Sequence, residues 1–189
     1  MSLPRRKRTA EEYLAIDRHS DYKNEYFNGD VFAMTGASRK HNLISLNVAS
    51  SLNGQLADRD CEVYASDMRV KVRPTGLYTY PDVVVVCGVP QFEDEEVDTL
   101  LNPIVIIEVL SKTTEGYDRG DKCEHYRLIE SLVEVVLIAQ DKYHAEHYAR
   151  QADNQWLLSE TNSLDDVIRL RSINCEISLT DVYRKVSLA

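Results

Sequence analysis

Two acidic residues of this chain stand inside apolar runs, where a charge is costly. Asp82 opens the run Val83-Val84-Val85-Val86, and Glu108 interrupts Ile106-Ile107-Glu108-Val109-Leu110. An ionised carboxylate in an apolar strand is disfavoured unless it is paired, hydrogen-bonded or bound to a cation. Either acid alone could lie at a strand end and accept backbone or arginine hydrogen bonds. Two of them on neighbouring strands, with phosphate and water, make an oxygen-rich shell for Mg2+ or Mn2+, a cation that polarises a phosphoryl oxygen and lowers the pKa of an attacking water. A nearby ammonium would stabilise the charge that develops, or position that water. Asp118, Lys122 and Tyr126 are spaced four residues apart, so one face of a helix presents all three, with Lys122 as the ammonium. An Asp–Lys surface pair above a packed tyrosine is the plainer account of the same spacing.

Other polar residues are weaker candidates. His41, at the start of a helical pattern, could contact phosphate or a bound water, or make a structural hydrogen bond. Asp67 could join the site or pair with Arg69 or Lys71. His144 and His147 are three apart on an expected strand and would face opposite sides, which suits no shared metal. Cys61, Cys87, Cys123 and Cys175 are widely spaced with no CxxC pair, so they read as thiols rather than a zinc knuckle or disulfide framework. Trp156 and the tyrosines read as packing residues.

The elements that must position these groups follow from pattern. Thr9 and Glu12 form a capping box, predicting a helix over Ala10–Asp17 with Tyr13, Leu14 and Ile16 on its apolar face. Residues 25–34 alternate around Asn28-Gly29, a hairpin signal. Leu43, Leu46, Val48, Leu52 and Leu56 recur at helical intervals and predict a helix over 41–56. Residues 62–72 alternate as one strand, and 80–87 form a continuous apolar run suited to a strand buried on both faces. Residues 91–101, with five acids between Glu93 and Asp98, read as an exposed, mobile loop. A strand over 104–110, a helix over 116–129 and a strand over 133–139 follow. Short strands over 147–150, 155–160, 167–171 and 176–179 and a helix from Thr180 complete the chain. This order predicts an α/β fold: a mixed central sheet flanked by helices, with a β-rich C-terminal part.

Bulk properties narrow the class. The 189 residues suit a single domain over 1–189, with the basic run Pro4-Arg5-Arg6-Lys7-Arg8 making 1–8 a flexible tail. A hydrophobic fraction of 43% and a charged fraction of 28% are those of a globular protein rather than a disordered one. No run approaches the roughly 18–20 apolar residues that cross a bilayer, and no signal peptide is visible, so a cytoplasmic location is expected. The net charge of −9 opposes a broad nucleic-acid surface. Clustered carboxylates that hold divalent cations soften that objection, because the bound ions reverse the local field.

Pro81-Asp82, Glu108, Ser111-Lys112-Thr113-Thr114 and the Asp118, Lys122, Tyr126 series together resemble the PD-(D/E)XK nuclease superfamily. Within it they are most similar to the Uma-two family of restriction-endonuclease-like proteins, whose N-terminal pattern also matches residues 25–34 and His41. The similarity spans roughly 9–186, and its motifs are specific as a set rather than singly. It implies a restriction-endonuclease-like sheet, Asp82 and Glu108 as metal ligands, Glu25 as a third acid, DNA as substrate and a homodimer. In the superfamily a lysine commonly stands two residues after the second acid, but Leu110 occupies that position. Either Lys122 supplies the ammonium from the following helix or the site is impaired. Lys112, beyond the strand end, is a weaker substitute, and Ser111 reads as a turn or cap residue. Two expectations result: a metal-dependent endonuclease using water as nucleophile, or a binding module that keeps the fold without turnover. A carboxylate glycosidase fits less well, since the lysine has no role there.

Overall fold

Thr9 caps the first helix as its spacing predicts. Its hydroxyl accepts the Glu12 N–H at 3.2 Å while the Glu12 carboxylate accepts the Thr9 N–H at 3.1 Å, and α1 (Ala10–Asp17) follows. The structure, a computed structural model, describes residues 6–34 and 36–188. Strands β1 (Asn24–Phe27) and β2 (Asp30–Ala33) join through Asn28 (φ 47°) and Gly29 (φ 85°), the paired left-handed residues of a tight hairpin turn. A side chain at Gly29 would also run into Lys7 at 2.8 Å.

The long helix α2 (Arg39–Leu56) begins at the Ser38 cap. Next come β3 (Cys61–Ala65), β4 (Arg69–Val72), β5 (Leu77–Thr79), β6 (Val83–Cys87), β7 (Thr99–Leu100) and β8 (Val105–Leu110). Helix α3 (Glu115–Tyr117), a π turn (Asp118–Lys122) and α4 (Cys123–Tyr126) cross to β9 (Glu134–Ala139). The remainder is β10 (Ala145–Arg150), β11 (Trp156–Thr161), β12 (Val167–Leu170), a 3-10 turn (Arg171–Ile173), β13 (Cys175–Ser178) and α5 (Leu179–Val182). Six strands form a mixed sheet in the order β11-β10-β9-β8-β6-β3, with β8 and β9 parallel and the other pairs antiparallel. Five others pair as β2-β1-β5-β4-β7, and β12 with β13 makes a ribbon. This is the mixed α/β architecture expected.

The Val and Ile runs of β6 and β8 are buried because both faces of the six-stranded sheet are covered. On one face Ile44, Val48, Leu52 and Leu56 of α2 pack on Val83, Val85, Ile107 and Val109. On the other, Val84, Val86, Ile106 and Leu110 meet Cys123, Tyr126 and Ile129.

Several expectations are corrected. The predicted strand over 62–72 splits at Ser66 (φ 55°), so β3 joins the six-stranded sheet while β4 joins the other. The run from Tyr80 becomes strand only at Val83, and β5 lies in a segment with no strand prediction. The helix expected over 116–129 is broken at Gly120 (φ −93°, ψ −109°) and ends at Tyr126. Ile16 is 48% exposed, and Asp17 is the buried residue of that last turn. The acidic segment is pinned rather than open: β7 pairs with β4, Arg18 reaches Asp94 at 2.7 Å and Asp98 at 2.8 Å, and Lys71 binds Glu93. Residues 1–5 of the expected basic tail lie outside the described residues. Among residues 6–8, all exposed, Arg6 pairs with Glu12, Lys7 pairs with Asp30, and the Arg8 N–H donates to the Gly29 carbonyl.

Asp17 anchors α1 through Arg69 at 2.8 Å. Burial pushes its carboxyl up, but the bonds from Tyr80, Asn24 and Arg69 bring it below its usual value, and the Arg18 guanidinium does the same to Asp98. Both folded pKa values are depressed, so their stabilisation is present above the unfolded value of about 3.9 and is lost as pH falls below it. Thermal unfolding between pH 6 and pH 3 should show that loss, and Asp98→Asn should flatten it; an unchanged profile would refute the assignment.

The four cysteines are not all thiols. Cys61 and Cys87 face each other in register across β3 and β6 and form a disulfide, while Cys123 and Cys175 are buried and free. A sequence separation of 26 residues carries no local signal of such pairing. Closing a loop of that length is worth about 3 kcal/mol in the chain-entropy account. Denaturant unfolding with and without reductant should differ by that amount, and coincident curves would contradict it. No helix among the described residues is long and apolar enough to cross a membrane.

Candidate active site

The antiparallel register of β6 and β8 pairs Val83 with Ile107, and continuing it by one residue sets Asp82 across from Glu108. The two acids expected on neighbouring strands therefore stand side by side at one sheet end. The Val109 backbone N–H donates to Asp82 Oδ2 at 2.7 Å, and His41 Nε2 lies 3.1 Å from the same oxygen. Glu108 shares its strand face with Ile106 and Leu110, beneath the segment leading into α4. Tyr126 donates its hydroxyl to Glu108 Oε1 at 2.5 Å, and Lys122 Nζ is 2.9 Å from that oxygen.

Lys122 arrives just after the kink at Gly120, on the turn that leads into α4. It is 4% exposed, with its ammonium 3.1 Å from Glu25 Oε1 and 3.6 Å from Asp118 Oδ1. Glu25 comes from β1 in the other sheet, where Thr79 of β5 donates to Glu25 Oε1 at 2.5 Å. Burial alone would strip Lys122 of its proton, but the surrounding negative groups, Glu108 foremost, hold its pKa well above the usual lysine value. Burial raises Glu108 above the ordinary carboxylate range; Lys122 opposes that shift and Asp82 and Asp118 add to it. Asp118 is also raised, chiefly by burial. Burial lowers His41, but Asp82 outweighs it and the net shift is upward.

Glu25, Asp82, Glu108, Asp118, Lys122, Tyr126 and His41 thus converge. Leu110, in the usual lysine position, packs into the core at 3% exposure, and Lys122 reaches Glu108 from above instead. Lys112 is exposed, and Ser111 bonds to Thr113 and Thr114 in a turn. Asp67 pairs with Lys23 rather than Arg69 or Lys71, and its side chain is 86% exposed. His144 and His147 go to separate carboxylates, Glu146 and Glu134. Thr79 was missed because its three-residue strand is too short to leave a pattern.

Glu25, His41, Asp82, Glu108, Asp118 and Lys122 line a groove of about 1220 Å³, in which acids outnumber the two lysines, Lys23 and Lys122. None of the acids from Glu93 to Asp98 lines it. Among the described residues no three His, Cys, Asp or Glu side chains gather closely enough to cage a metal by themselves. Asp82 and Glu108 each engage one oxygen, and among the described residues the other oxygen of each takes no hydrogen bond. That donor set fits a hydrated Mg2+-like cation, which commonly takes one or two carboxylates and completes its shell with water and substrate phosphate.

A family model, Uma2, described as "Putative restriction endonuclease", matches residues 10–181. An uncharacterized protein of Synechocystis sp. is 39% identical over 152 residues, covering 80% of this chain and 86% of its own. A second uncharacterized protein of that organism is 32% identical over 183 residues, covering 97% and 95%. The crystal structure titled as a "putative nuclease belonging to DUF820" from Anabaena variabilis superposes with a TM-score of 0.75 over 93% of this chain and 97% of that one. At 18% identity, that likeness speaks to the fold.

Proposed function

The chain belongs to the Uma2 family, whose description is "Putative restriction endonuclease", and from that premise we propose that it is a divalent-metal-dependent endonuclease hydrolysing DNA phosphodiester bonds. The observation that carries the reading is the buried Lys122 ammonium held against Glu108 and Glu25 beside Asp82. It favours an active site over the impaired module, because it returns a cation to the place where Leu110 offers none.

Asp82 and Glu108 would hold Mg2+ or Mn2+, and the bound ion would polarise the scissile phosphate and acidify water. Lys122, protonated and desolvated, stabilises negative charge on the phosphoryl oxygens as they approach it. Glu25 orients Lys122 and is itself fixed by Thr79. Tyr126 and Val109 each hold one oxygen, of Glu108 and Asp82 respectively, so neither carboxylate has to reorganise. A groove this acidic repels bare phosphate, so substrate binding depends on the cations it holds. Two such sites in a homodimer would address the two strands of a duplex. In the cytoplasm, where that DNA would be met, the Cys61–Cys87 disulfide would be reduced and its loop-closing contribution lost.

Supercoiled plasmid incubated with the protein and Mg2+ or Mn2+ should be nicked or linearised, with no cleavage in EDTA and only background cleavage by Asp82→Ala. Equal cleavage by the wild-type and Asp82→Ala proteins would exclude the assigned site.

A further inference from the structure

His41 has a place in this site that its position in the sequence leaves open. It lies in the first turn of α2, where the Ser38 hydroxyl caps the His41 N–H at 3.1 Å and donates to Gln140 Oε1 at 2.5 Å. The start of α2 is thereby moored to the chain just beyond β9. From there the imidazole, largely buried, turns its Nε2 to Asp82 Oδ2 at 3.1 Å, and Ser45 Oγ lies 3.4 Å from Nδ1. The Ser45 hydroxyl can donate to Nδ1, which leaves the Nε2–H to donate to Asp82. The Val109 N–H reaches the same Oδ2 from the opposite strand. Two donors from separate elements thus occupy one oxygen of Asp82 and fix the plane of the carboxylate. The other oxygen, among the described residues, is left to the groove.

We propose that His41 is a positioning residue for metal binding: by gripping Asp82 Oδ2 together with Val109, it aims Asp82 Oδ1 at a divalent cation shared with Glu108. This rests on the reading of Asp82 and Glu108 as a metal pair. His41 touches neither substrate nor cation, and acts through the carboxylate it orients. Partners of this kind typically set metal affinity by about 10–100-fold, because an unheld ligand must give up rotational freedom on binding.

The test is Mn2+ affinity, measured by calorimetry at pH 8 so that charge on the ring does not itself repel the cation. His41→Ala should weaken binding by about 10–100-fold. His41→Gln, whose amide N–H can reach the same oxygen, should recover most of the loss. Both variants should melt in metal-free buffer within a few degrees of the wild type. Equal Mn2+ affinity in wild type and His41→Ala would overturn the proposal, as would equal weakening by Ala and Gln, which would mark a packing role. A wild-type protein that binds no Mn2+ would instead overturn the metal-pair reading beneath it.

Discussion

Lys122→Met is expected to abolish metal-dependent DNA cleavage and to destabilise the fold by about 3–5 kcal/mol, the cost of breaking a buried ion pair by removing one partner. Methionine keeps the stem out to the ε carbon and removes the ammonium group. Glu108, Glu25 and Asp118 would then face one another in a desolvated site, each within 3.6 Å of where the ammonium had been. Such carboxylates lower their energy by taking up protons. The destabilisation should therefore be larger at pH 8 than at pH 5, which urea unfolding at the two pH values would show. Equal stability of variant and wild type at pH 8 would mean that Lys122 does not neutralise this cluster.

Glu108→Gln should separate function from stability in the opposite sense. The Glu108 carboxyl has a folded pKa raised above its unfolded value, chiefly by burial. A group shifted in that direction contributes stability below its unfolded pKa and loses it as pH rises through the folded value. At pH 8 its charge is therefore a burden on the fold that glutamine removes, and the amide oxygen can still accept the Tyr126 hydroxyl. Lys122 keeps Glu25 at 3.1 Å and Asp118 at 3.6 Å as counter-charges, so the variant should unfold near the wild-type temperature. The added stability from saturating Mn2+, about 2.7 kcal/mol at a hundred times Kd, should vanish. Retained stabilisation by Mn2+ would remove Glu108 from the ligand set.

These two residues show what could be read from the chain and what could not. Glu108 was legible because a charge between Ile107 and Val109 breaks an otherwise apolar strand, and β6 and β8 were legible for the same reason. Local chemistry also announced itself: Thr9 with Glu12 at a helix start, and Asn28-Gly29 in a turn that needs two left-handed residues. Lys122 was legible as a helix-face neighbour of Asp118, but not the π turn that carries it, because the kink at Gly120 leaves the spacing unchanged. The alternation over 62–72 continues through Ser66, so nothing in it reveals that β3 and β4 enter different sheets. Pairings distant in sequence were hidden most completely. The contact of Arg18 with Asp98 spans 80 residues, and it turned an acidic stretch that looked open into an anchored one. Glu25 could be assigned from resemblance alone; its contact with Lys122 depends on how the two sheets meet, which no periodicity encodes.

The metal pair is tested most directly by anomalous diffraction from crystals soaked in Mn2+. One Mn2+ should appear within about 2.3 Å of a carboxylate oxygen from both Asp82 and Glu108, with Lys122 still in contact with Glu108. A cation bound elsewhere, or ligated by only one of the two acids, would contradict the site.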